Sequence, residues 1–308
     1  MDSPKVTTTL ERQELLRLSA AFLVLGLINN TPYVVVLSAA QDLVPKDVAV
    51  GVVLFVNIFP SLCAKLGWPY LVRGTVRYAK RVVACTCMTL SGMLLVAFSP
   101  SVGLRLLGIA IASFSSGLGE MTALQLSTTL DEVAASRAVG WFASGTGAAG
   151  ICGALLWWIL RGLGVRIGLA ACSAVPLGFS LAYFVILPRK ALSASQQKSE
   201  YAPVASGEEE FDDASPTQTL STQTLNLSTK LELAKPLVLP FMLPLFFVYM
   251  AEYTINQGVA PNLLYPIPEH GISSLLIQHL SDYYPLWQLI YQVSLAYRIA
   301  QILAYGLM

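Results

Sequence analysis

A chain of 308 residues that is 55% hydrophobic and only 12% charged cannot be an ordinary soluble domain, which needs about 25% charged residues to face water. A mean hydropathy of +0.62 and a net charge of +1 leave no basic footprint for nucleic acid and no acidic tail. Much of the surface must be covered by something other than water, and the chain reads as an integral membrane protein.

Residues 1–17 form a short polar tail, with Glu11, Arg12, Glu14 and Arg17 ahead of the first apolar run. That run is too long and wrongly flanked for a cleavable signal peptide, so an uncleaved first helix is expected. Crossing the hydrocarbon core takes about 20 mostly apolar residues. Runs of this kind occupy residues 18–40, 48–66, 82–98, 102–127, 138–160, 166–187, 236–258 and 285–307. The third is short, and the eighth is weakened by Gln288, Gln292, Arg298 and Gln301. Lipid offers the backbone no hydrogen-bonding partner, so these runs must be helices.

Taking loops on alternate sides, one side holds Lys5, Arg12, Arg17, Lys65, Arg73, Arg77, Lys80, Arg81, Arg137, Arg189, Lys190, Lys198, Lys230 and Lys235, against Lys46, Arg105, Arg161 and Arg166 on the other. Basic residues stay in the cytosol, which makes the N-terminus and the long stretch 188–235 cytosolic. Within that stretch, residues 193–223 are rich in Ser, Thr, Gln, Glu and Asp and cannot bury enough apolar surface to fold. The domains are therefore a tail (1–17), a six-helix transmembrane half (18–187), a disordered cytosolic linker (188–235) and a partial second half (236–308). Six helices, a linker and a second set are the layout of major-facilitator transporters. The fold class is an all-α polytopic membrane protein, a major-facilitator-like bundle with an incomplete second half. Ile28-Asn-Asn-Thr31 and Ile255-Asn-Gln-Gly258 form a faint internal echo.

Polar residues within the spans are unevenly placed. The first helix carries Asn29, Asn30 and Tyr33; the fourth Ser115, Ser116, Glu120 and Gln125; the seventh Tyr249, Glu252, Tyr253, Asn256 and Gln257. The second, third and sixth are poorer, with Asn57 an exception. In a six-plus-six bundle, helices one, four and seven line the central cavity, and polar groups in hydrocarbon need a partner or water. The expected solute and proton pathway therefore comprises Asn29, Asn30, Tyr33, Ser116, Glu120, Gln125, Tyr249, Glu252, Asn256 and Gln257. Glu120 and Glu252 are the acidic residues deep within the clear spans. Each reads as a proton acceptor or a grip on a cation, because a carboxylate removed from water is pushed toward protonation. The alternative is a hydrogen-bonded glutamate that holds helices together.

Other features read as structure. Cys63, Cys85, Cys87, Cys152 and Cys172 lie in or beside apolar runs without metal-site spacing, which points to packing. Gly145, Gly147, Ala149, Gly150 and Gly153 form a small-residue face on the fifth helix that Ser113-x-x-x-Gly117 of the fourth could meet. Gly117-Leu-Gly119 lacks the preceding strand of a dinucleotide site. Glu11-Arg-Gln-Glu-Leu15-Leu16 and Tyr201-Ala-Pro-Val204 fit short sorting patterns, and Asn226-Leu-Ser228 is a sequon that a cytosolic loop would leave unused.

Four segments carry a resemblance: Ile28-Asn-Asn-Thr-Pro-Tyr-Val-Val-Val-Leu-Ser-Ala-Ala-Gln-Asp42, Ser115-Ser-Gly-Leu-Gly-Glu120, Trp141-Phe-Ala-Ser-Gly-Thr-Gly-Ala-Ala-Gly150 and Ala251-Glu-Tyr-Thr-Ile-Asn-Gln-Gly258. In that order they resemble the battenin family, lysosomal and vacuolar membrane proteins whose human member underlies juvenile Batten disease. The divergent linker looks fungal. The resemblance runs from Leu18 to Gln292, after which the chain departs from the family pattern and is expected to be truncated or divergent. It implies a multi-pass transporter of the vacuole or lysosome membrane, tied to vacuolar pH, basic amino acids and glycerophosphodiester export. Its motifs include Glu120 and the 252–257 group. The partners expected are the bilayer, a small solute and protons, with no cofactor, metal or catalytic residue. The alternative is a scaffold or trafficking regulator of the endolysosomal system. An enzyme is not expected, since His270 and His279 lack metal-box spacing and no Ser/His/Asp set converges.

Overall fold

The computed structural model describes residues 5–45, 48–71, 76–188, 232, 235–236 and 238–254. Contacts divide the chain into two units, Met1–Ser195 with Pro266–Met308, and Gln196–Tyr265. In the first unit the elements are α1 (Lys5–Ser38), α2 (Ala40–Leu43), α3 (Val50–Leu71), α4 (Tyr78–Phe98), α5 (Val102–Ser127), α6 (Glu132–Leu160), a 3-10 turn (Arg161–Leu163), α7 (Val165–Cys172), α8 (Leu177–Leu181) and a π turn (Ala182–Ile186). Among the described residues, six segments are long and apolar enough to span a bilayer: Arg12–Ser38, Gly51–Trp68, Tyr78–Phe98, Val102–Ser127, Glu132–Leu163 and Val165–Ile186. They coincide with the six expected spans, and the protein is an all-α polytopic membrane protein.

Three details differ from expectation. Helix α1 starts at Lys5, so most of the tail is helical, because its sequence up to Arg17 contains neither Gly nor Pro to stop it. Helix α4 starts at Tyr78 and is not short: it takes in Lys80 and Arg81, whose long stems can lie along apolar surface while the charge reaches out. The sixth span is one expected run, 166–187, but it breaks between α7 and α8. Pro176 has no N–H for the Cys172 carbonyl, which instead accepts from Val175 N at 3.1 Å. Ser101 and Asp131 cap α5 and α6 by accepting from Leu104 N and Ala134 N, both at 3.4 Å.

Within the bundle, α1 packs chiefly on α6, and α5 packs between α3 and α4. The α1–α6 crossing explains the small-residue face. A Cβ on Gly26 would strike the Phe142 carbonyl, and one on Gly145 the Leu23 carbonyl. Gly145 and Gly153 of that face therefore meet α1, not Ser113 and Gly117 of α5 as expected, because α1 offers Gly26 opposite and α3 already occupies the α5 positions, while Gly147 of the expected face has nothing against it. All five cysteines are free, Cys85 and Cys172 buried. On the outer side of α3, Phe55, Phe59, Leu62 and Leu66 are exposed at helical spacing. This is the stripe a bilayer would cover.

In the second unit a π turn (Val238–Met242) leads into α9 (Leu243–Tyr253). Pro236, Pro240 and Pro244 recur every four residues, each removing a backbone donor, which accounts for the widened winding before α9. The expected seventh span, 236–258, is described as far as Thr254. Asn256, Gln257, the linker and the expected eighth span lie outside the described residues, apart from a few linker positions.

Candidate functional site

The site begins at Pro60 in α3. A proline within a helix removes one rung of its hydrogen-bond ladder, and the next rung here is rebuilt from another helix. Ser113 Oγ of α5 donates to the Asn57 carbonyl at 2.9 Å and accepts from Ser61 N at 3.1 Å. The hydroxyl thus sits between a C=O and an N–H four residues apart in α3. One turn along α5, Gly117 lies against Ser61, where an added Cβ would stand 2.6 Å from the Ser61 carbonyl oxygen. This close approach sets the register of the two helices. It brings Lys65, one turn beyond Ser61, to Glu120, with Nζ 2.7 Å from Oε2.

On the other flank of α5, Asn29 and Ser116 bond reciprocally. Asn29 Nδ2 donates to the Ser116 carbonyl at 3.1 Å and to its Oγ at 3.3 Å, while Ser116 Oγ donates to the Asn29 carbonyl at 3.2 Å. Gly119 leaves room for the Asn29 amide, since a Cβ there would strike Asn29 Oδ1. Ser116 and Glu120 stand one turn apart on the same helix face. The result is a polar line, Asn29–Ser116–Glu120–Lys65, drawn across α1, α5 and α3. The ion pair at its end is open, with 38% of the Lys65 side chain and 31% of the Glu120 side chain exposed.

The remaining expected residues fall in other places. Asn30 donates to Thr146 Oγ1 of α6 at 3.1 Å and to the Gly26 carbonyl at 3.2 Å. Tyr33 contributes its carbonyl, which accepts from Asn57 Nδ2 at 3.2 Å. Gln125 belongs to a separate contact with α4: its Oε1 accepts from Arg81 Nη1 at 2.7 Å and its carbonyl from Tyr78 Oη at 3.2 Å. Arg81 also lies over the Trp68 ring, 5.7 Å from its centroid. Ser115 is a buried stitch, donating to the Cys85 carbonyl at 2.7 Å and accepting from Thr89 at 2.8 Å. A cavity of about 10 Å³ beside it, lined by Asn29, Thr86 and Thr89 among others, has room for roughly one water and no solute. Tyr249 and Glu252 are carried by α9 in the other unit, and Asn256 and Gln257 lie outside the described residues. No three His, Cys, Asp or Glu side chains gather as a metal site among the described residues.

Lys65 is the residue that sequence reasoning missed, because it was counted with the basic loop as a sign of topology. The signal was present: Asn57, Ser61 and Lys65 recur every four residues on one face of α3.

Comparison with known proteins places the bundle. Residues 20–298 match the family model described as CLN3 protein. The chain belongs to that family, the battenins. It is 42% identical to Protein BTN1 of Mycosarcoma maydis over 93% of this chain and 62% of the relative. Protein BTN1 of Cryptococcus neoformans is 42% identical over 90% of this chain and 63% of the relative. Protein btn1 of Schizosaccharomyces pombe is 36% identical over 90% and 67%. The chain thus spans about 62% of the length of the first of these relatives. No solved structure matches it. The family match runs to residue 298, past Gln292, where the departure was expected.

Proposed function

We propose that this battenin-family protein is a transporter of the vacuolar or lysosomal membrane, moving a small solute in a way that sets vacuolar pH. The observation that carries the reading is the Asn29–Ser116–Glu120–Lys65 line within the spanning segments. Four polar groups on three helices, ending in an ion pair a third exposed, form a path rather than a sealed joint. The family supports the vacuolar location, and the loop charges support a cytosolic N-terminus. Basic amino acids and glycerophosphodiesters remain the candidate solutes.

The test is a chimaera in which this chain replaces the matching segment of the Mycosarcoma maydis relative, expressed in cells lacking their own family member. The chimaera should restore vacuolar pH and solute content, and Glu120→Gln should weaken its pH-dependent transport. Full rescue by a double Lys65→Gln, Glu120→Gln form would remove the path and favour a scaffold that needs only linker and loops. A tag within residues 193–223 should be cut by protease added to intact vacuoles; protection would reverse the orientation.

A further inference from the structure

Resting on the transporter reading, we infer that the Lys65–Glu120 pair is a charge-exchange site for a zwitterionic solute. The chemistry starts from the cost of opening the pair. Within spanning helices, separating two bonded charges leaves each one unpaired, a heavily penalised state. A lone cation arriving at Glu120 would strand Lys65, and a lone anion arriving at Lys65 would strand Glu120. A solute that carries both charges replaces each partner in turn, so one internal pair becomes two pairs with the solute and neither side chain is stranded. The ammonium of Lys65 takes the solute's carboxylate or phosphate, and the Glu120 carboxylate takes its amine.

The surroundings fit such an exchange. Both side chains are partly exposed, so the pair is not sealed between the helices that carry it. Lysine holds its partner through a single flexible ammonium rather than a fixed fork. The cation that α4 brings to this end, Arg81, is already bonded to Gln125 and lies over Trp68. From α1 the contact on this stretch of α5 is the neutral Asn29. The pair is therefore close to neutral as a unit and matches a solute of zero net charge.

The proposal is tested on the full chain in lipid nanodiscs by saturation-transfer NMR. The probes are glycine, β-alanine and γ-aminobutyrate as zwitterions of increasing charge separation, with acetate and methylammonium as single-charge controls. At least one zwitterion should bind at least about ten-fold tighter than either control, since each control strands one partner. Glu120→Gln should shift preference toward acetate, and Lys65→Gln toward methylammonium. The charge-swapped Lys65→Glu, Glu120→Lys form should recover zwitterion binding. Opposite shifts in selectivity are a result that a structural pair would not produce. Failure of every zwitterion to bind, or equal loss of all probes in both single variants with helicity retained, overturns the site. If none binds while the chimaera still restores vacuolar solute content, this inference fails and the transporter reading stands. Zwitterion binding with a chimaera that moves nothing supports the site and removes the transporter reading.

Discussion

Asp42–Arg161 and Lys65–Glu120 both join distant parts of one helical bundle, yet they are built for different tasks. Arg161 reaches Asp42 with two nitrogens, Nε at 3.0 Å and Nη2 at 3.4 Å, and the side chains are only 17% and 16% exposed. Beside it, Arg105 donates to the Leu43 and Ser99 carbonyls, each at 3.0 Å. The corner between α1 and α2 is thus clamped by two guanidinium groups whose planar forks suit fixed geometry. Lys65–Glu120 is a single contact at 2.7 Å, with each side chain about twice as exposed. One end of the bundle spends its charges on holding shape, and the other leaves a pair that can be undone. Exposure and fork geometry, not the presence of a salt bridge, separate a clamp from a candidate site.

The comparison breaks most sharply if the clamp is halved. Asp42→Ala should leave the Arg161 charge nearly buried without its carboxylate, at about 3–5 kcal/mol. In detergent the variant should lose its cooperative thermal transition or show it far lower. A melting curve close to the parent would mean that the α1–α2 corner is held by contacts other than this ion pair, those of Arg105 among them. A gentler probe is Arg161→Lys, which keeps the charge and loses the fork. It should cost less, about 1.5–3 kcal/mol from one lost charge-assisted hydrogen bond, with an intermediate melting temperature.

At the other pair, stability and activity should part company. Lys65→Met and Glu120→Gln each leave one charge without its partner but partly exposed, so each should cost well below the about 3–5 kcal/mol of a halved buried pair, while transport by the chimaera drops severely. A melting shift as large as that of Asp42→Ala, with activity falling only in proportion to folded protein, would make the two pairs the same kind of device.

Much of this bundle was legible before any coordinates, because hydropathy reports which stretches lie in lipid, and all six spans were found that way. Ser116 and Glu120 were legible too, since a spacing of four places them on one face. What a neighbouring helix presents to that face depends on rotation and tilt, which a single helix does not encode. Gln125 was grouped with Glu120 on the strength of a shared helix, but five residues of offset turn it toward Arg81. Lys65 was lost for the opposite reason: its charge served as a topology marker and its register on α3 went unused. The fifth-helix glycines were recognised as a packing face but paired with the wrong helix, since small residues show that something comes close and not what. Tyr249, Glu252, Asn256 and Gln257 belong to a part of the chain whose side-chain surroundings lie outside the description.

The smallest effect is expected at the near end of the polar line, and it sharpens where the site stops. Ser116→Ala removes the hydroxyl that donates to the Asn29 carbonyl, yet Asn29 Nδ2 keeps the Ser116 backbone carbonyl at 3.1 Å. No buried donor is stranded, so the loss should be that of one interhelical hydrogen bond in a membrane, about 0.6 kcal/mol. Melting should move little, and if solute contacts end at the ion pair, transport should stay near the parental rate. If Ser116→Ala instead loses as much transport as Glu120→Gln at unchanged stability, the solute must also touch the Asn29–Ser116 step. The site would then run from α1 to α3, and the open pair would be one end of a longer binding path.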